Sequence, residues 1–278
     1  MSGKLTKVLI TVKTYPTLSK KYDELVCTAG VLEDGSWIRL YPVPFRKLDY
    51  ETRYKKYQWI ELQLEKNTSD PRPESYRPTN IEKITLLDII DGKDKWEKRK
   101  EIIIDKGRIF TNLTELKTKR GELSLATFKP SCIKKFLIEK TNREWPEDKL
   151  ICLKNKAMQL SLFQTPEEVE KEFAVVKKLP YKFSYCFSDD KGEDATLMIE
   201  DWEIGELYWN CLKSSHGDEK IACQKVQQKY MDYLLTKDLY LFLGTTRQFH
   251  GWGSNPFLII GVFYPPYGPL MKQPTFEF

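Results

Sequence analysis

Histidine is almost missing from this chain. Of 278 residues only two are histidine, His216 and His250, which leaves little material for imidazole-based metal centres. Cysteine occurs six times, at Cys27, Cys132, Cys152, Cys186, Cys211 and Cys223, but no two are spaced as C-x-x-C. Structural zinc is usually built on such close ligand pairs, so no metal site is expected, and no cofactor. The spacings are also too long and irregular for a disulfide framework. The cysteines are expected to be free, and most of them small buried hydrophobes.

Other signatures are absent too. No apolar run approaches the length that crosses a bilayer. The opening "MSGKLTKVLITVK" passes straight into an apolar alternation, without the hydrophobic region and small-residue cleavage site of a secretory signal. The expectation is a soluble, cytoplasmic protein with no membrane partner. There is no phosphate-cradling P-loop, no G-x-G-x-x-G before a helix, no G-x-S-x-G elbow and no H-E-x-x-H. The sequence hallmarks of P-loop NTPases, dinucleotide enzymes, α/β-hydrolases and zinc proteases are therefore excluded.

What the chain has in quantity is aromatic and charged side chains. Its 7 Trp and 15 Tyr exceed what a core of this size requires, so some rings are expected at a surface. The formal net charge is +5 and the sequence pI about 8.7. This mild basicity permits a nucleic-acid partner without demanding one.

Patterning divides the chain. "KVLITVK" (Lys7 to Lys13) reads as a strand. Leu25 to Val31 and Ser36 to Val43 read as a hairpin turned by Asp34-Gly35. "YQWIELQLE" and "IEKITLLDII" read as further strands, separated by the proline-rich loop "NTSDPRPESYRP". Strands joined by long loops, with few helices, predict an OB-like small β-barrel over residues 1–90. A helix is expected from about Asp94 to Lys106, then extended segments in "LSLATFKPSCIKKFLIEK", helical spacing from Leu150 to Leu160, and a short helix capped by Thr165 with Pro166 at its first position. Residues 91–177 are read as a mixed helical and extended connector. Residues 178–278 are read as a second α+β unit in the order β-β-α-α-β-β with a loose proline-rich tail. Its last strand, "PFLIIGVFY", is apolar on both faces and is expected to be central. The fold class is thus α+β and β-rich, an OB-like barrel followed by a second α+β unit.

In the opening hairpin, Leu25, Cys27, Ala29 and Val31 share one face, as do Ile38 and Leu40. If those faces form the core, Trp37, Arg39 and Tyr41 point outward. Tyr57 and Trp59 similarly oppose Ile60, Leu62 and Leu64. Rings beside arginine suit single-stranded nucleic acid, because bases stack on aromatic faces and arginine binds phosphate or stacks on a base. The competing reading for each ring is packing beneath a helix or against the second unit.

The segment "VCTAGVLEDGSWIRLYPV", preceded by the lysine-containing loop "TLSKKYDE", resembles the start of the dual OB-domain proteins of prokaryotes. The matching residues are Cys27, Ala29 and Gly30, then Gly35, Trp37, Ile38 and Arg39. Leu40 stands where that family has proline, and its basic loop lacks the family's Asn-Ser beginning. The resemblance covers about 40 of the 278 residues. It implies an oligonucleotide-binding barrel and nucleic-acid binding in a defence or repair setting, and it does not reach the second half.

Three further places hold chemistry. Asp70, Arg72, Glu74 and Arg77 lie in one proline-stiffened loop that can hold a divalent metal near phosphate, read base edges or, more simply, pair its own charges. "GTTRQFHGWGSNP" joins two strands and carries Arg247, His250 and Trp252, suited to a base or phosphate. "EDWE" places Asp201 at a strand-to-helix junction as an N-cap with Glu203 in the first turn. Either carboxylate is also a candidate orienter for His250 as a general base.

The leading expectation is a nucleic-acid-binding protein for single strands or unusual ends. Its surface is Trp37, Arg39, Tyr41, Arg46, Trp59 and Arg72, with Arg247, His250 and Trp252 as a second patch. The alternatives are an enzyme on nucleotides or nucleic acid, centred on His250, Asp201 and Glu203, and a module whose exposed aromatics meet a protein partner.

Overall fold

Alternation of apolar and polar residues shapes the N-terminal strands. In the computed structural model, which describes residues 3–19, 23–160, 175–253 and 255–268, these are β1 (Lys4–Lys13), β2 (Thr17–Ser19), β3 (Asp23–Val31), β4 (Trp37–Val43), β5 (Gln58–Lys66), β6 (Ser75–Pro78) and β7 (Thr85–Ile89). They pair in the order β1-β3-β4-β6-β5, and β5 returns to β1 over Lys4↔Leu64 to Leu9↔Trp59. The result is a closed five-strand barrel whose β4–β6 contact is parallel, an OB-like connectivity. The β3–β4 turn forms as the sequence predicts. Gly35 takes φ +81, and Asp34 Oδ1 accepts hydrogen bonds from Ser36 N and Oγ.

The barrel interior holds Val8, Ile10, Val26, Ile38, Leu40, Ile60, Leu62 and Leu64. The predicted inward faces of β4 and β5 are therefore correct, whereas that of β3 is reversed. Val26 points inward, while Ala29 and Val31 pack outside the barrel. The side chain of Leu25 lies outside the described residues. Two causes combine. The register shifts between Val26 and Thr28 against β4, and a second layer covers the outer face, so both faces of β3 are apolar and alternation cannot tell them apart. Gly30 marks the crowded inner side, where a Cβ would lie 2.3 Å from Leu9 O.

The predicted helix after the barrel is present as α1 (Glu97–Lys100), extended by a π turn over Glu101–Asp105. Its Ile102 and Ile103 pack on the barrel's outer face. Beyond it come β8 (Ile109–Phe110), α2 (Leu113–Thr118), β9 (Leu125–Phe128), β10 (Cys132–Lys140), α3 (Glu147–Leu160), β11 (Tyr181–Ser188), β12 (Asp194–Met198), α4 (Trp202–Ser214), α5 (Glu219–Gln227), β13 (Tyr240–Thr245) and β14 (Phe257–Phe263). Two sheets result, β10-β11-β12 and β14-β13-β9-β8.

Residues 109–140, read from sequence as part of a connector, instead supply strands to both sheets of the C-terminal half. Long-range pairing made them structural, and nothing local signals it. β14 is buried as expected, with Ile259 and Val262 fully covered. However, β13 and β9 are the inner strands, and β14 ends the ladder apart from a bridge from Ile259 to Ile199. The short helix expected after Thr165, and the tail beyond residue 268, lie outside the described residues. All six cysteines are free, but only Cys211 and Cys223 are buried, so the expectation of mostly buried thiols is corrected. Among the described residues no helix is long and apolar enough to cross a membrane.

Candidate functional site

The first predicted surface is not a surface. Trp37, Arg39 and Tyr41 do point out of the barrel, but the β14-β13-β9-β8 sheet lies against them. The Trp37 ring meets Phe242 edge-on at 5.1 Å, and its Nε1 donates to Thr127 Oγ1. Arg39 is 1% exposed; its Nη2 donates to Ser124 O at 3.1 Å and its Nη1 to Cys27 Sγ at 2.8 Å. Tyr41 is half-buried below the Arg72 guanidinium. Trp59 is also half-buried, with the Lys7 ammonium 4.8 Å from its ring. Arg46 pairs with Glu24 at 2.6 Å. Arg72 is buried, paired with Asp70 at 2.7 Å and donating to Thr245 O. Within the proline-stiffened loop only Asp70 and Arg72 pair with each other; Glu74 accepts from Ser124 N and Oγ, and Ser75–Pro78, read from sequence as part of the loop, form β6, where Arg77 pairs with Glu65.

The 246–253 loop does face solvent. Arg247 is exposed, and Trp252, 67% exposed, packs on Phe249 at 5.3 Å. His250 does not meet Asp201 or Glu203. Its Nδ1 shares a hydrogen bond with Thr245 Oγ1 at 3.1 Å. Burial lowers its pKa, opposed by Glu74 and reinforced by Arg72. An uncharged hydroxyl stands where the orienting carboxylate was expected, so the proposed base-and-orienter pair is not assembled.

Asp201 and Glu203 open a different place, a cleft of about 500 Å³ between barrel and second unit. Asp201 caps α4, accepting from Glu203 N. A bridge from Asp201 to Thr14 and the hydrogen bond from Tyr15 N to Glu200 O hold the helix start against the end of β1. Gly205 permits this approach, because a Cβ there would lie 2.2 Å from the Tyr15 ring. Lys13, Lys55, Lys56, Lys229, Trp202, Glu206 and Tyr264 also line the cleft. Sequence reasoning missed all four lysines, since each comes from a segment with no motif of its own.

Lys56 Nζ lies 2.5 Å from Glu203 Oε2 and 4.0 Å from Asp201 Oδ2. Burial opposes its charge, but Tyr57, Glu203 and Asp201 outweigh that and raise its pKa. Asp201 is 2% exposed, and its Oδ2 accepts no hydrogen bond among the described residues. Burial drives its carboxyl up to about 7, against the pull of Lys56 and with the repulsion of Glu203. Lys13 is lowered by burial, with Glu203 opposing.

Asp201 should leave a mark on stability. With its pKa raised from 3.8 to about 7 in the fold, the native state binds more protons than the unfolded chain between those values. Its contribution therefore falls as pH rises across that window and is level above it. In urea unfolding, wild type is expected to lose stability relative to Asp201→Asn between pH 4.5 and pH 7.5. An unchanged difference would mean that Asp201 ionises as it does in the unfolded chain.

Fold and cleft together define an OB-like barrel protein with a cavity at its junction with a second α+β unit. Two family models match the chain. "Domain of unknown function (DUF8758)" spans residues 4–105 and "Domain of unknown function (DUF8757)" spans residues 106–277. The second covers more than half of the chain, and the protein belongs to that family. The change of model at 105/106 falls at the end of the π turn. A comparison with curated proteins finds no match.

Proposed function

We propose that the protein binds a nucleotide, free or at the end of a strand, in the cleft between the barrel and α4. The carrying observation is the composition of that cleft: four lysines with Trp202 and Tyr264 around about 500 Å³. Ligand pockets run from about 300 to 1,000 Å³, so the space suits a base with its sugar and phosphate. The carboxylates do not cancel the lysines. Lys56 pairs with Glu203, burial raises the pKa of Asp201 and so disfavours its charge, and Glu206, whose hydrogen bond from the neutral indole of Trp202 at 3.0 Å removes no charge, is one carboxylate against three further lysines. Lys13, Lys55 and Lys229 are left to favour an anion.

A second reading keeps single-stranded nucleic acid as the ligand and uses the 246–253 loop. It rests on the exposed Phe249–Trp252 ring pair beside exposed Arg247, a small platform on which bases can stack.

One titration panel separates the two. Fluorescence anisotropy and calorimetry with mononucleotides and with single-stranded and double-stranded oligonucleotides are run at two salt concentrations. The cleft reading expects mononucleotide binding that weakens roughly tenfold to a hundredfold in Lys13→Ala or Lys229→Ala, the size of a lost charged hydrogen bond. Trp252→Ala should leave it unchanged. The loop reading expects only oligonucleotides to bind, with loss in Trp252→Ala. Binding to neither class sinks both.

A further inference from the structure

The cleft beside α4 opens outward onto an exposed ring. Helix α5 runs on past Gln227 into a π turn over Gln228–Tyr233, and that turn sets Lys229 in the cleft wall. Four residues on, at the spacing of helical neighbours, stands Tyr233, which is 45% exposed. The Lys229 ammonium lies 3.6 Å from the centroid of its ring. Tyr264, also of the cleft wall, meets Tyr233 edge-on at 6.4 Å. Tyr264 is held in turn by Trp96 at 5.1 Å, itself packed on Tyr57 and Phe263. Tyr233 is therefore the next ring outward from the cleft, and it adjoins a ring that is fixed.

A second ammonium meets the same ring. Lys237 Nζ lies 5.2 Å from the Tyr233 centroid. Neither Lys229 nor Lys237 has a carboxylate within 4.0 Å among the described residues. Glu203 is taken by Lys56, and Asp238, next to Lys237 in the chain, is taken by Lys129. Burial lowers the pKa of Lys229, Glu203 opposes this, and the charge of Lys237 reinforces it. Two ammonium groups that repel each other across one exposed ring gain from an anion placed between them. Rings alternating with basic side chains along an open path are also the pattern that holds single strands.

We propose that the cleft takes the end of a single strand, and that the next nucleotide crosses the rim with its base on Tyr233 and the connecting phosphate between Lys229 and Lys237. This rests on the nucleotide reading of the cleft and decides between its two forms. A free nucleotide uses nothing beyond Lys229, whereas a strand uses Tyr233 and Lys237 as well. The base takes the place of the more distant ammonium, that of Lys237, which turns to the phosphate. Stacking on a ring serves every base, so the rim is expected to be indifferent to sequence.

The test is calorimetry on the full chain at two ionic strengths. The probes are thymidine 5′-monophosphate, thymidine 5′-diphosphate, and 5′-phosphorylated thymidine oligonucleotides of two and three residues. The readout is the ratio of dinucleotide to mononucleotide affinity, in which any change to the cleft itself cancels. A ratio of about ten is expected, the scale of one base stacked on a ring, with little further gain from a third residue. Tyr233→Ala should bring the ratio close to one. Lys237→Ala should lower it and flatten its dependence on salt. Neither side chain is buried, so both variants should fold. Mononucleotide binding with a wild-type ratio near one, or a ratio that survives Tyr233→Ala, overturns this proposal and leaves the cleft reading standing. So does a diphosphate that binds as tightly as the dinucleotide, since the lysines would then read phosphate alone. No binding of the mononucleotide overturns the cleft reading itself, and this proposal with it.

Discussion

Asp70→Ala is expected to destabilise the fold by about 3–5 kcal/mol, the usual consequence of leaving one member of a buried ion pair alone. Asp70 and Arg72 are 4% and 5% exposed. Asp70 receives Arg72 Nε and Nη2 and the Ser75 hydroxyl, and Arg72 reaches across to Thr245 O. Removing the carboxylate strands a guanidinium at the point where the barrel loop meets β13. Asp70→Ala/Arg72→Met should be milder than Asp70→Ala, because no unpaired charge remains. Urea unfolding at pH 7 measures both, and a loss below about 1 kcal/mol, the scale of an exposed pair, would show that solvent reaches Arg72. The pair also sets an acid limit. Burial alone would raise Asp70, but the hydrogen bonds and charge of Arg72 and the Ser75 hydroxyl hold it at about 2. With a depressed native pKa, its stabilisation is complete above the ordinary value of 3.8 and is lost as pH falls from there towards 2.

Phe242→Ala is expected to cost about 3–5 kcal/mol, as buried Phe-to-Ala changes do, and Trp37→Ala somewhat less because its ring is only partly buried. Phe242 is fully buried and packs between Trp37 and Phe263, where the second unit covers the barrel. This pair of variants tests whether the outer face of β4 is an internal contact. Trp37→Ala that lowers oligonucleotide affinity while leaving the unfolding midpoint in place would return that face to solvent and revive the nucleic-acid surface first expected there.

Both predictions concern the same junction, and it explains why the protein resists a simple reading from its barrel. An OB barrel commonly presents its second and third strands to a ligand. Here the corresponding strands, β3 and β4, meet β9 and β13 of the same chain. Open space remains in the cleft beside α4 and around the exposed 246–253 loop.

Features that depend on near neighbours in the chain were legible in the sequence. The strand over "KVLITVK", the Asp34-Gly35 turn, the inward faces of β4 and β5, the helix start at Asp201 and the order of elements from β11 to β14 are all set by alternation, turn chemistry and capping within a few residues. Legibility ended where a second layer decided. Alternation shows that β3 and β4 have two faces but not what covers the outer one, so it assigns Ala29 and Val31 to the interior and leaves the outward-pointing Arg39 to solvent. The pairing of β10 with β11 and of β9 with β13, about 40 to 120 positions away, leaves no local mark. The gathering of Lys13, Lys56 and Lys229 around Asp201 depends on the fold alone, since side chains distant in sequence acquire shared electrostatics only when tertiary packing removes the water between them. Sequence by itself determined four of the barrel's five strands, β1, β3, β4 and β5, and the turn between β3 and β4, while β6 was hidden in the proline-rich loop. Tertiary structure decided which of its charges were buried, because only long-range packing takes them out of water.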